Sequence, residues 1–119
     1  MLVLAALPLV VLAAGPAAAD RDSRREGDCS RRSKWRVEAS REDGRIELQA
    51  EVDSDRPGQR WSWKLLHNGY RSSRGTARTE SSGTFEVERT MTDLAGTDTF
   101  SLRARNPRSG ERCRGEIRL

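Results

Sequence analysis

Ile46-Glu47-Leu48-Gln49-Ala50-Glu51-Val52 decides the fold. Apolar and polar residues alternate through it without a break. A period of two fits an extended strand with one buried and one wet face. The same period recurs on both sides. Upstream, Trp35, Val37 and Ala39 alternate with Lys34, Arg36 and Glu38. Downstream, Trp61, Trp63 and Leu65 alternate with Arg60, Ser62 and Lys64, and Phe85 and Val87 with Thr84, Glu86 and Glu88. Phe100, Leu102 and Ala104 alternate with Ser101, Arg103 and Arg105. The last run sets Cys113, Gly115, Ile117 and Leu119 against Arg112, Arg114, Glu116 and Arg118. A weaker strand falls within Tyr70 to Arg78. No stretch after Ala19 carries the 3.6-residue period of an amphipathic helix.

Turn chemistry separates these runs. Glu42-Asp43-Gly44 and Asp53-Ser54-Asp55-Arg56-Pro57-Gly58 divide the first three strands. Asn68-Gly69 is the strongest hairpin signal, because both residues tolerate a positive φ. Ser81-Ser82-Gly83, Leu94-Ala95-Gly96 and Asn106-Pro107-Arg108-Ser109-Gly110 close the rest. Seven short strands divided by turns predict an all-β, two-sheet sandwich.

The N-terminal segment has another character. Met1 to Ala19 carries no charge, runs through Leu, Val and Ala, and ends in Gly15-Pro16-Ala17-Ala18-Ala19 before Asp20. An apolar core, a helix breaker and a small-residue site form the layout of a secretory signal peptide. An uncleaved anchor is the alternative, since a span needs about 20 apolar residues. The expected organisation is a signal peptide over 1–19, a flexible polar leader over 20–28 and the sandwich domain over 29–119. Cleavage would release a secreted, extracellular domain with no stable membrane insertion.

The chain from Asp20 onward holds all 22 basic and 18 acidic residues, so its net charge is +4. Its Leu, Ile, Val and Phe number only 13, which predicts a thin core short of apolar surface to offset chain entropy. Cys29 and Cys113 supply the compensation. Two cysteines in an exported chain allow one connectivity, and closing so long a loop contributes about 4–5 kcal/mol in the chain-entropy model.

In order, the strands resemble the A to G strands of an immunoglobulin or fibronectin type III domain. The Trp strand (Trp61, Trp63) stands where the buried Trp of strand C does. Leu94, six residues before Phe100, resembles the spacing before the corner tyrosine, and Phe100 to Asn106 resembles strand F. The resemblance implies a seven-stranded sandwich with strands C, F and G in one sheet and B and E in the other. The sequence departs from the pattern at Phe100, which lacks the corner hydroxyl. It departs again at Leu48 and Leu102, which stand where immunoglobulin cysteines would pair. In such folds the first strand can run parallel to the last, which would bring Cys29 and Cys113 together. The chain is also similar to small secreted sandwich proteins of high-GC bacteria, a resemblance that implies no activity.

The chemistry-bearing residues are few. His67 is the only histidine and abuts a turn, so it reads as an exposed strand-end residue rather than a catalytic base. Asp53, Asp55, Asp93 and Asp98 could ligate calcium if two loops converged, but Asp is an ordinary turn former. The sequence calls for no metal and no cofactor. Trp35, Trp61 and Trp63 share the inward parity of the core, which argues against sugar stacking. The sharper signal is electrostatic. With strands C, F and G in one sheet, Arg60, Lys64, Arg103, Arg105, Arg112, Arg114 and Arg118 would form a basic outer face with Glu116 as its one acid. Arg45, Glu47, Gln49, Glu51, Thr84, Glu86 and Glu88 would make the opposite face acidic. The expected function is a secreted, non-enzymatic binding module whose basic face meets an anionic protein surface or a cell-envelope polymer. Nucleic acid fits less well, because few aromatics are free to stack on bases. The alternative is a secreted inhibitor or accessory protein presenting the Asp53–Gly58 and Asn106–Glu111 loops to an enzyme.

Overall fold

The computed structural model describes residues 2–9 and 22–119. The period-two runs become strands β2 (Lys34–Glu42), β3 (Arg45–Asp53), β4 (Arg60–His67), β5 (Tyr70–Arg78), β6 (Thr84–Thr92), β7 (Thr99–Arg105) and β8 (Arg112–Arg118), preceded by β1 (Asp22–Asp28). They form two four-stranded sheets, β1-β2-β3-β6 and β5-β4-β7-β8. Every neighbouring pair is antiparallel. Inward residues of both sheets make one core, with Trp61, Phe100, Ile46, Leu48, Leu65, Leu102 and Ile117 fully buried.

Among the described residues the fold has eight strands rather than seven. Asp22–Asp28, expected as a flexible leader, pairs with β2 along its whole length, from Asp22 opposite Ser40 to Asp28 opposite Lys34. Backbone pairing needs no apolar side chains, and an edge strand can be polar on both faces. The partners are matched in charge: Arg24 faces Glu38, Glu26 faces Arg36 and Asp28 faces Lys34. Gly27 faces Trp35, and a Cβ there would stand 2.6 Å from the indole. Gly115, on β8 in the other sheet, leaves room for the same ring, since a Cβ there would clash with it. Trp35 is thus sandwiched between two glycines at the β1/β8 side of the molecule. Trp63 packs over Gly75 of the neighbouring strand in the same manner.

Cys29 and Cys113 form a disulfide with Cα atoms 4.3 Å apart. Parallel pairing of the first and last strands is not the device that joins them. Cys29 lies in the β1–β2 connection, and Cys113 on β8 of the opposite sheet. The bridge therefore ties the two sheets together. Around it, the Ser30 amide donates to Arg112 O at 2.8 Å. The buried Glu111 carboxylate accepts from the Arg31 amide (3.0 Å), the Ser33 amide (2.9 Å) and the Ser33 hydroxyl (2.7 Å). Two hairpins turn as their residues dictate, with positive φ at Asp43-Gly44 and at Asn68-Gly69.

The expected signal peptide falls mostly outside the described residues. Its described part, residues 2–9, has no regular secondary structure, and all of it is exposed. Among the described residues no helix is long and apolar enough to cross a membrane.

Candidate anion-binding face

The outer face of β5-β4-β7-β8 is built by register. Going straight across the sheet, Arg74 stands opposite Lys64, Lys64 opposite Arg103 and Arg103 opposite Arg114. Four strands thus contribute four cations to one row, with no acid among them. The next row reads Thr76, Ser62, Arg105 and Arg112. Beyond it Arg60 stands opposite Arg78. At the other end, Ser101 faces Glu116 and Thr99 faces Arg118. The cations of both rows are exposed. Directly opposed side chains lie about 5 Å apart at Cβ, a distance at which like charges destabilise the sheet. No carboxylate lies within 4.0 Å of Lys64, Arg74, Arg103, Arg105, Arg112 or Arg114 among the described residues. Glu116 is turned to the Ser101 hydroxyl at 3.5 Å.

A shallow groove of about 770 Å³ runs over this face. Lys64, Arg103, Arg105, Arg112 and Arg114 line it, five of the seven residues expected from the sequence. Arg60 and Arg118 lie on the same face outside the groove. Arg71 and Arg74 of β5 join the lining and were missed. The signal for them was the alternation of Arg74, Thr76 and Arg78 with Ser73, Gly75 and Ala77. Its inward residues are too small to announce a core strand. One large apolar residue, Leu66, has an outward register, but it is only 8% exposed.

The opposite sheet differs. Arg24 lies 2.6 Å from Glu26 and 3.3 Å from Glu38, and Arg36 lies 3.7 Å from Glu38 and 3.2 Å from Glu51. The acids of β3 and β6 cluster beyond this network. Thr90 donates to Glu47 at 3.1 Å, and the Gln49 amide donates to Glu86. A hydrogen bond shared with Glu86, then the charge of Glu86 itself, raises the Glu88 carboxyl above its ordinary pKa.

The other sequence candidates resolve into internal roles. His67 is not an exposed strand end. Its side chain is 13% exposed, its Nε2 lies 2.6 Å from Oδ1 of the fully buried Asp98, and its ring stacks on Phe100 at 4.5 Å. Asp98 also accepts from the Leu94 amide at 3.4 Å and exchanges backbone hydrogen bonds with Leu119. Asp93 pairs with Arg41 at 3.3 Å, and Asp53 accepts the Asp55 amide at 2.9 Å. These aspartates are therefore engaged in separate places and do not converge. Trp61 and Trp63 are buried in the core, and Trp35 packs half-buried against it. The Asp53–Gly58 and Asn106–Glu111 loops meet at one end, around a cavity of about 310 Å³. Their polar groups are largely spent on the loops themselves: Ser54 donates to Gly83 O, and Asn106 accepts the Arg108 amide.

Comparison of the chain with protein-family models, with curated proteins and with solved structures finds no match. The fold and the site define a class, a disulfide-tied, two-sheet all-β domain with one cationic face.

Proposed function

We propose that this protein is an exported, non-enzymatic binding module of the immunoglobulin-like (fibronectin type III-like) kind. Its basic β5-β4-β7-β8 face would take an anionic partner, an acidic protein surface or a cell-envelope polymer. The observation that carries this reading is the unneutralised row Arg74, Lys64, Arg103 and Arg114. Four cations in register repel one another in the free protein, whereas the other sheet offsets its cations with acids. A face built only for solubility has no need of such a row, because interspersed signs solubilise as well. The immunoglobulin-like assignment is supported by strand order, with β2, β3 and β6 in one sheet and β5, β4, β7 and β8 in the other. Export is supported by the Cys29–Cys113 bridge, since disulfides persist in oxidising compartments.

The test is retention of the full chain on cell-envelope material and on heparin across a salt series. Retention should fall steeply with salt. Combined Arg103→Glu, Arg105→Glu and Arg114→Glu should abolish it. Undiminished retention of that variant would sink the proposal and move attention to the Asp53–Gly58 and Asn106–Glu111 loops.

A further inference from the structure

Resting on that reading of the face, we infer that its ligand is a linear acidic polysaccharide lying across the strands, along the row Arg74, Lys64, Arg103 and Arg114. Three features of the face lead there. The first is the arrangement of charge. Adjacent strands are about 4.8 Å apart, so the row presents one cation per strand over roughly 14 Å in a straight line. A chain with an anionic group on successive sugar units can meet these cations in turn. A compact anion would reach only one or two.

The second is the lack of an accessible apolar anchor in the groove; the exposed ring of this sheet, Tyr70, stands at the start of β5 outside the groove lining. Interfaces between folded proteins are held by a few buried aromatic or aliphatic side chains at their centre. Here the outward positions are Arg, Lys, Ser, Thr and Glu, and Leu66 is covered. The same lack speaks against single-stranded nucleic acid, which is gripped by stacking bases on aromatic faces. Trp63 contributes to the groove lining, but its ring packs inward over Gly75, and Arg89 covers it at 5.2 Å.

The third is the strip beside the row. Thr76 and Ser62 are its neighbours on β5 and β4, and both belong to the groove. Short hydroxyl side chains lower the surface there and offer partners to sugar hydroxyls. The Ser62 hydroxyl donates to Arg105 O at 3.3 Å, which leaves its oxygen free to accept.

The test compares two triple variants of the full chain with equal net charge. Lys64→Gln, Arg74→Gln and Arg103→Gln removes three members of the row. Arg60→Gln, Arg78→Gln and Arg118→Gln removes three cations of the same face outside the groove. Both fall from +4 to +1, and matched thermal melts show that both are folded. Binding to polygalacturonate is measured by titration calorimetry across a salt series, with oligo-dT of matched charge as the second probe. The unaltered protein should bind polygalacturonate and lose affinity on the order of fifty-fold between about 50 and 200 mM salt for four contacts. The row variant should bind at least tenfold more weakly, with a salt slope shallower by about two. The outer variant should keep the slope. Equal weakening of both variants would overturn the inference, as would tighter binding to oligo-dT than to polygalacturonate. If the chain is held on envelope material but ignores polygalacturonate, the polysaccharide assignment fails and the binding face stands. If neither holds it, both fail.

Discussion

The outer faces of the two sheets solve the same problem in opposite ways. On β1-β2-β3-β6 a run of alternating charges, Glu26, Arg24, Glu38, Arg36 and Glu51, is linked by contacts of 2.6 to 3.7 Å. On β5-β4-β7-β8 the cations of the central row stand opposite one another with no acid between them. Both faces are wet and both hang on the same core, so burial does not explain the difference. On the first, the cations of β1 and β2 are offset within the molecule, and the unpaired charge is the acidic cluster of Glu47, Glu86 and Glu88. On the second, no carboxylate among the described residues offsets the cations of the central row.

Three measurements break or sharpen that contrast. The largest effect is expected from the tie that holds the two sheets as one unit. Cys29→Ser with Cys113→Ser opens a closure of sequence separation 84 and should lower unfolding free energy by about 4–5 kcal/mol in urea titrations. A loss below about 1 kcal/mol would mean that the sheets are held by packing alone.

Next is a reversal of sign between the faces. Arg36→Thr removes a cation set between Glu38 and Glu51, and should cost up to about 1 kcal/mol. Arg103→Thr removes a cation set between Lys64 and Arg114, and should stabilise by several tenths of a kcal/mol. Thr suits a strand at both places, and both effects should shrink as salt is added. If both substitutions destabilise, the row is not strained and the contrast collapses.

The smallest effect concerns the acids on the otherwise balanced sheet. The Glu88 carboxyl is raised by its shared hydrogen bond and its repulsion with Glu86. The folded state therefore takes up this proton before the unfolded chain does. This contribution to stability is full below the ordinary carboxylate pKa and is lost as pH rises through the raised one. Glu88→Gln should therefore melt slightly higher than the unaltered protein at neutral pH, and the gap should close on acidification. A gap that does not change with pH would show that Glu86 and Glu88 do not share a proton.

Much of this was legible in the sequence. Alternation sorted inward from outward residues on six strands, because a strand's side chains point to opposite faces whatever it pairs with. The same parity assigned Trp61, Trp63 and Leu65 to the core and Lys64 and Arg103 to the surface. Asn68-Gly69 and Asp43-Gly44 named their turns through backbone sterics alone. Two cysteines in an exported chain allow one connectivity, Cys29 with Cys113, and the structure supplies the pairing itself.

What the sequence could not convey depends on partners distant along the chain. β1 has no apolar period to reveal it, since an edge strand gains its hydrogen bonds from whichever neighbour is present. His67 looked exposed until Asp98, brought in ahead of β7, buried it. Above all, the row from Arg74 to Arg114 exists only through cross-strand register. Local parity says which side of a strand a cation occupies, whereas tertiary pairing alone decides which cations stand together. The sequence by itself determined two-faced strands and a stock of outward charge, and the tertiary structure decided that on one face the charge would gather uncompensated.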